Sequence, residues 1–175
     1  MKFDFEIDKK DNQIIVFAVS SKKYQISLQN IVAESSDAFK RICYISMNKP
    51  LDSLVKGFKS IGVDIGKFIF IDCVKKSKAS KGVQALHVSS PKALTELGIN
   101  INKALVRKAD CIIFDHLSSL LTYQDDLTAL KFAHLLISKS RMLDKKCIFI
   151  CMEEDMKGKF LKSVIMFVDK IIYMH

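Results

Sequence analysis

Five short apolar runs recur along this chain, and longer stretches with helical spacing of apolar residues separate them. The runs are rich in isoleucine, valine and phenylalanine, and they span 41–47, 67–74, 110–115, 147–152 and 170–174. Continuous apolar segments of this length are typical of strands that are buried on both faces of a parallel sheet. Because strands alternate with helices, the pattern predicts an α/β domain with a mainly parallel sheet and helices on both faces.

The N-terminal residues carry two further strand signals. The segment FDFEI, residues 3–7, alternates apolar and polar side chains as an edge strand does, and QIIVFAV, residues 13–19, is a continuous apolar run. The turn-like sequence DKKDN lies between them, so we expect an N-terminal β-hairpin. An exposed strand at residues 3–7 would also offer an edge for strand addition by a partner protein, or simply extend the domain's own sheet.

Helices are predicted in five stretches: 24–40, 51–61, 91–108, 125–145 and 156–167. The second follows Pro50 and ends at Gly62, a residue suited to a helix C-terminus. The third is expected to begin with Ser90 as its N-cap and Pro91 in its first helical position. The first offers five apolar side chains to the core: Ile26, Leu28, Ile31, Val32 and Phe39.

Length and composition favour a single soluble domain over residues 1–175. Apolar residues make up 49% of the chain and charged residues 27%, which is the balance of a globular protein with a sizeable core. No apolar run approaches the roughly 18 residues that cross a bilayer, and the first residues mix acids with lysines, unlike a signal peptide. We therefore expect a cytoplasmic protein with no membrane partner.

The five cysteines indicate neither a metal site nor a disulfide framework. All of them lie within or at the end of apolar runs, and there is no CxxC pair. Zinc sites need closely spaced cysteine and histidine ligands, and that spacing is absent. The sequence therefore predicts buried, reduced thiols and no bound metal.

The formal net charge of +9 permits a polyanionic partner such as nucleic acid without requiring one. The one dense basic run is VKKSKASKG, residues 74–82, in which four lysines are candidate polyanion contacts: Lys75, Lys76, Lys78 and Lys81. Aromatic residues, which stack on the bases of single strands, do not interleave with these lysines. A solvated loop and a polyanion contact therefore both remain open, and a solvated loop is favoured.

The turn after residues 13–19 occupies the place where many α/β proteins bind phosphate. It reads SSKKYQIS, in which Lys22 or Lys23 and the hydroxyl of Ser27 are candidate nucleotide contacts. A phosphate-binding loop needs glycines, because they let backbone N–H groups converge on the phosphates. Glycine is absent here, so an ordinary strand-to-helix turn is favoured over a phosphate cradle.

Other strand ends carry further candidate residues. Asn48 and Lys49 follow the run 41–47, where a hydrolase would place a carboxylate to orient water. Asp115 ends the run 110–115, and such an acid either assists Mg²⁺ in nucleotide enzymes or caps the helix that follows. Acids at 153–155, together with Asp72 and Asp115, would form an acidic cluster if the sheet brought them to one edge.

Several of these stretches together resemble KaiC-like ATPases of the RecA superfamily. The segment 41–74 resembles that family's second and third strands, with a helix led by proline between them. The segments SSPKALTELGININKAL (89–105) and DCIIFDHLSSLLTY (110–123) are similar to an archaeal branch of the group. The similarity runs from about residue 13 to the C-terminus, and the order and spacing of the motifs make it more specific than any single motif.

The resemblance implies a RecA-like fold that has lost its chemistry. The slot of the phosphate-binding loop is SSKKYQIS, the catalytic glutamate pair falls at Asn48 and Lys49, and only the aspartate of the second nucleotide-binding motif remains, as Asp115. We therefore expect no catalytic residues, no ATP or Mg²⁺ cofactor, and at most a vestigial nucleotide site. The archaeal branch is described as inactivated ATPases linked to signal transduction.

These observations predict a non-catalytic domain that acts as a regulatory or protein-interaction module, with protein partners or self-association. Two alternatives stay open: a nucleic-acid-binding accessory protein, for which the net charge speaks, and a sensor that binds nucleotide without hydrolysis. An active ATPase is the least expected, because two of its three catalytic elements are missing.

Overall fold

A computed structural model of the protein describes residues 7, 12–74 and 82–174. The strands are β1 (Ile14–Val19), β2 (Ile42–Ser46), β3 (Phe68–Asp72), β4 (Gln84–His87), β5 (Cys111–Asp115), β6 (Lys146–Met152) and β7 (Lys170–Met174). They form one sheet in the order β4-β3-β2-β5-β6-β1-β7, and every neighbouring pair is parallel. The predicted α/β class with a parallel sheet is confirmed, and the architecture is consistent with a RecA-like fold.

Helices cover both faces of the sheet, as predicted. They are α1 (Tyr24–Ala38), α2 (Leu51–Ser60), α3 (Leu94–Val106), α4 (Leu120–Tyr123), α5 (Asp126–Met142) and α6 (Lys159–Ile165). Buried side chains of α1 and α2 pack on one face, called here the α1 face, and those of α3, α5 and α6 pack on the other, the α3 face. Within the described part of the chain, no helix combines the length and the apolar character that spanning a membrane requires.

Two helices begin later than the sequence predicts. Helix α3 begins at Leu94 rather than at Pro91, because the chain first forms a turn in which the Ala93 N–H donates to the Ser90 carbonyl over 2.9 Å. Helix α6 begins at Lys159 rather than at residue 156, because Glu153–Lys157 form a 3-10 helix and the backbone at Gly158 is extended.

The sequence misplaces one core residue and misses one strand. Of the five apolar side chains assigned to the core from the first helix, four are buried, but Ile26 is 50% exposed. Strand β4 is short and half-buried, and it lies at the edge of the sheet, where it pairs with β3 alone among the described strands. A strand of this kind lacks the continuous apolar run that identifies the central strands.

The expected N-terminal hairpin lies mostly outside the described residues. Its second half is β1, which pairs with β6 along one edge and with β7 along the other, both in parallel. β1 therefore has no edge left for an antiparallel partner, so the predicted hairpin pairing is not part of this sheet. Of the first half, only Ile7 is described, and its side chain is buried on the α1 face.

Three helices end with the same backbone turn. In α2 the N–H of Gly62 donates to Lys59 and that of Val63 to Phe58, and equivalent pairs of bonds close α3 and α5. This pair of hydrogen bonds defines the Schellman motif, in which one residue just beyond the helix adopts a left-handed backbone conformation. Gly62 fills that position in α2, as the sequence predicts, but Lys108 (φ 66°) and Asp144 (φ 52°) fill it in α3 and α5.

Candidate functional site

The candidate site lies at the carboxyl ends of β2 and β5, which are neighbours in the sheet. The chain leaves β2 towards β3 on one side and leaves β5 towards β6 on the other. In open α/β sheets, ligands bind in the crevice where adjacent strands diverge in this way. Register places Ser46 directly opposite Asp115 at the crevice, so the residues that follow both strands meet there.

Asp115 is the centre of the site, and two tyrosine hydroxyls donate hydrogen bonds to its carboxylate. The side chain is 4% exposed. The Tyr44 hydroxyl donates to Oδ2 over 2.7 Å, and the Tyr24 hydroxyl donates to Oδ1. Both oxygens of the one acid that the resemblance assigns to the nucleotide site are therefore bonded to groups of the chain itself.

The position of each tyrosine follows from local structure. Side chains alternate between the two faces of a strand, so Tyr44 shares the α1 face with its register neighbour Ile113, and with Asp115 two residues further on. Tyr24 is the first residue of α1, which packs on the same face. A tyrosine from a strand and one from a helix start thus converge on one carboxylate.

The turn between β1 and α1 is compact. Residues Ser21–Lys23 form a single 3-10 turn that leads directly into α1. Lys22 and Lys23 are exposed, while Ser27 is fully buried, and its hydroxyl has no hydrogen-bond partner among the described residues. Among the described residues, no hydrogen bond or ion pair joins these three residues to Asp115.

Lys49 covers the outer side of this cluster. Its ammonium lies 4.3 Å from the centre of the Tyr24 ring, within the range of a cation–π contact. Burial lowers the pKa of the Lys49 amine below its usual value, and the negative charge of Asp115 works against that shift. Lys49 therefore lies against the Tyr24 ring, at the position where the resemblance places a catalytic glutamate.

Asn48, the other position at which the resemblance places a catalytic glutamate, begins a chain of polar contacts. Its amide donates to the Ser119 hydroxyl, which lies 3.0 Å from His116 Nδ1. His116 Nε2 lies 3.5 Å from Asp155. His116 has a left-handed backbone (φ 61°), a conformation uncommon outside glycine, which turns the chain sharply after β5 and places the imidazole between the two partners.

This Ser-His-Asp sequence of contacts does not make a nucleophile. A serine nucleophile must reach the substrate and pass its proton to the histidine. Ser119 is only 2% exposed, and its oxygen already accepts the Asn48 amide. A cavity of about 500 Å³ lies beside His116, and its lining includes Asn48, Ser119 and Asp155.

The acidic residues named from the sequence do not form one cluster. Asp72 lies beside His87 and accepts the N–H of Val74, and Glu154 accepts both the N–H and the hydroxyl of Ser21. Asp155 lies beside His116. Across residues 7, 12–74 and 82–174, no group of three or more metal-ligating side chains is close enough to hold an ion.

Burial governs the acid–base behaviour of the two tyrosines. It raises the pKa of Tyr24 well above its usual value, and the charge and hydrogen bond of Asp115 raise it further. The pKa of Tyr44 is raised for the same reasons, with burial again the largest cause. Both phenols therefore stay protonated and act as donors to the carboxylate at physiological pH.

Sequence reasoning identified Asp115, Asn48 and Lys49, but it missed the tyrosines. The available signal was Tyr44, the aromatic residue with a hydroxyl group in a mainly apolar strand. Its significance depends on register between β2 and β5, which the sequence does not specify. The four candidate polyanion contacts, Lys75, Lys76, Lys78 and Lys81, lie outside the described residues.

Comparison of the chain with models of known protein families gives no match, and neither does comparison with curated protein sequences. The functional interpretation therefore depends on the parallel α/β fold and on the closed contacts around Asp115.

Proposed function

We propose that this protein is a non-catalytic RecA/KaiC-like domain, a pseudo-ATPase that acts as a regulatory or protein-interaction module. The observation that carries the proposal is the pairing of both Asp115 oxygens with Tyr24 and Tyr44. An aspartate that assists Mg²⁺ must present its oxygens to the ion or to the waters around it. Here the same oxygens accept from the phenols of Tyr44, which is buried, and Tyr24, which is half-buried.

The surroundings of Asp115 support loss of catalysis as well as loss of binding. The turn after β1 has no glycine and leads within one 3-10 turn into α1, so it does not surround a phosphate with N–H groups. Hydrolysis also needs a group that takes a proton from water. The loop after β2 offers an amide at Asn48, which is bonded to Ser119, and an ammonium at Lys49.

Calorimetric titration with Mg-ATP tests this proposal. For the wild-type protein, we expect no saturable heat up to millimolar nucleotide and no phosphate release. Two variants serve as controls: Asp115→Asn, which removes the charge at the site, and the double variant Lys22→Gln/Lys23→Gln, whose exposed positions leave the core untouched.

Micromolar binding that is lost in Asp115→Asn or in the lysine double variant would overturn the proposal. The protein would then be a nucleotide sensor, and Tyr24 would have to leave the carboxylate when nucleotide binds. A folded sample that binds no nucleotide would direct attention to protein partners.

A further inference from the structure

We propose that the groove between α3 and α5 binds an amphipathic, acidic helix of a partner protein. This inference deepens the proposed interaction role and rests on it. Helices α3 and α5 lead into the adjacent strands β5 and β6 and pack on the same face of the sheet. Between them lies an apolar cavity of about 290 Å³, to which both helices contribute.

Apolar side chains form both the floor and the edges of this groove. Ile101 and Leu136 are buried at its floor, and Ile99 and Leu135, at its edges, are 50% and 56% exposed. Gly98 lies between the edges, and a Cβ added there would meet no atom within 4 Å, so the groove is open above this residue.

The apolar character continues along both helices towards their C-termini. Val106 follows Ile99 by two turns on α3, and Met142 follows Leu135 by two turns on α5, so each pair lies on the same side of its helix. Val106 is 84% exposed and Met142 75% exposed. Each helix thus presents a stripe of exposed apolar side chains that one lysine interrupts, Lys103 on α3 and Lys139 on α5, and the trough between the two stripes has the shape of a site that accepts a helix. Helix α3 is about 20 Å long, so a partner helix of about four turns would cover the groove.

The basic side chains around the groove indicate that the helix bound there is acidic. Four cations lie within or beside these stripes: Lys103 and Arg107 on α3, and Lys131 and Lys139 on α5. None of them forms an ion pair with a described residue. The acids of these helices, Glu96 and Asp126, lie in the first turns, and Glu96 already accepts from Ser89.

A second copy of the chain is a poorer occupant than an acidic helix. If two copies met through this groove, the lysines and arginine of one would face those of the other, which is unfavourable. The whole chain also carries a net charge of +9, which opposes self-association. A helix with leucines on one side and glutamates flanking them would satisfy both the apolar stripes and the cations.

Fluorescence anisotropy with three labelled synthetic peptides of about 16 residues tests the proposal. The first has leucines at helical spacing and glutamates elsewhere, the second replaces every glutamate with lysine, and the third keeps the first peptide's charge but has two central prolines that prevent a helix. We expect the glutamate peptide to bind at least tenfold more tightly than either of the others. Equal affinity for the glutamate and proline peptides would overturn the proposal, because only net charge would then be at work.

Variants locate the binding to the groove. Leu135→Ser and Gly98→Gln, which respectively remove an edge and fill the trough, are expected to weaken the glutamate peptide roughly tenfold or more. Met166→Ser and Ile26→Ser remove similarly exposed apolar groups elsewhere and are expected to leave it unchanged. The double variant Lys131→Glu/Lys139→Glu should reverse the preference between the glutamate and lysine peptides. Failure of all three groove variants to change binding would overturn the assignment.

Sedimentation of the peptide-free protein separates the remaining outcomes. We expect a monomer, and a dimer abolished by Leu135→Ser would show that the occupant is a second copy. Neither readout involves nucleotide, so a failure here is distinguishable from a failure of the proposed loss of ATP binding, which the Mg-ATP titration measures.

Discussion

At the scale of single residues, the hydrogen bonding of the Asp115 carboxylate is the most informative feature. A carboxylate at the end of a buried strand is costly unless hydrogen bonds satisfy its charge. In an enzyme, bound metal and water supply part of that satisfaction, and here two phenols do so instead. Through these two bonds the aspartate joins β5, β2 and the start of α1.

This role predicts a stability effect for the two tyrosines. Removing either hydroxyl leaves a buried carboxylate oxygen without its donor, so Tyr24→Phe and Tyr44→Phe should each lower the free energy of unfolding by about 1–3 kcal/mol. Urea unfolding measures the change. Tyr123→Phe is the matched control, because the Tyr123 hydroxyl has no hydrogen-bond partner in the described part of the chain. Equal midpoints for all three variants would contradict a structural role for Asp115.

The raised pKa values of Tyr24 and Tyr44 predict how stability depends on pH. Below pH 10 both phenols are protonated in the folded and the unfolded chain, so their contribution is complete. As pH rises above 10, the unfolded chain loses these protons first, and the folded state is progressively destabilised. Absorbance of phenolate during alkaline titration should show a fraction that ionises only when circular dichroism reports unfolding. Ionisation of that fraction while circular dichroism still reports a folded sample would contradict the burial of these hydroxyls.

The sequence was sufficient to identify Asp115 as a candidate site residue, but not to identify the tyrosines that donate to its carboxylate. Position at a strand end is readable from an apolar run, and the substitutions at Asn48 and Lys49 are readable from the resemblance. Tyr24 and Tyr44 become partners of Asp115 only once helix packing and register are known, and both depend on contacts that are distant in the chain.

At the scale of elements, the helix C-termini offer a controlled comparison. The same left-handed turn is filled by Gly62 after α2 and by Lys108 after α3. A side chain in this conformation costs about 1 kcal/mol relative to glycine. Lys108→Gly should therefore raise the free energy of unfolding by up to this amount, and Gly62→Ala should lower it by a similar amount.

Thermal or urea unfolding of the two variants gives the readout. A cation near a helix C-terminus contributes a few tenths of a kcal/mol through the dipole, so Lys108→Gln measures the part of the effect that is due to charge. If Lys108→Gly lost more stability than Lys108→Gln does, the left-handed backbone at residue 108 would not be strained.

Element boundaries show where sequence patterns are reliable. The five central strands were predicted because burial on both faces leaves a continuous apolar run. β4 was missed because it lies at an edge, where half-buried polar residues are tolerated. The start of α3 was misplaced because Pro91 fits a turn as well as it fits a first helical position, and only the bonds of Ser90 decide between them.

At the scale of the whole molecule, burial of the five cysteines gives a further prediction. All five are buried, and burial raises the pKa of Cys73 and Cys147 to about 12. Since the thiolate is the reactive form, a folded sample at pH 8 should not react with a disulfide reagent. Titration in increasing urea should show all five reacting together with global unfolding. Reaction of a subset in the folded state would reveal local opening of the sheet.

The fold class was accessible from sequence because alternation of strands and helices is a local property. Strand order was not, because it depends on which strands lie side by side, and here β1 is inserted between β6 and β7. The first half of the expected hairpin lies mostly outside the described residues, and both edges of β1 pair with strands that are distant in the chain.

The insertion of β1 also has a consequence for how the chain acquires its structure during synthesis. The N–H of Ile14 donates to the carboxylate of Asp169, 155 positions later in the chain. β1 is synthesised well before β6 and β7, the two strands that pair with its edges, so until then it is an apolar strand with two open edges. Folding is then slow, because its decisive contacts are distant, and a nascent chain stalled before β7 presents an edge that invites aggregation. We therefore expect the nascent chain to be most prone to aggregation between the emergence of β1 and that of β7.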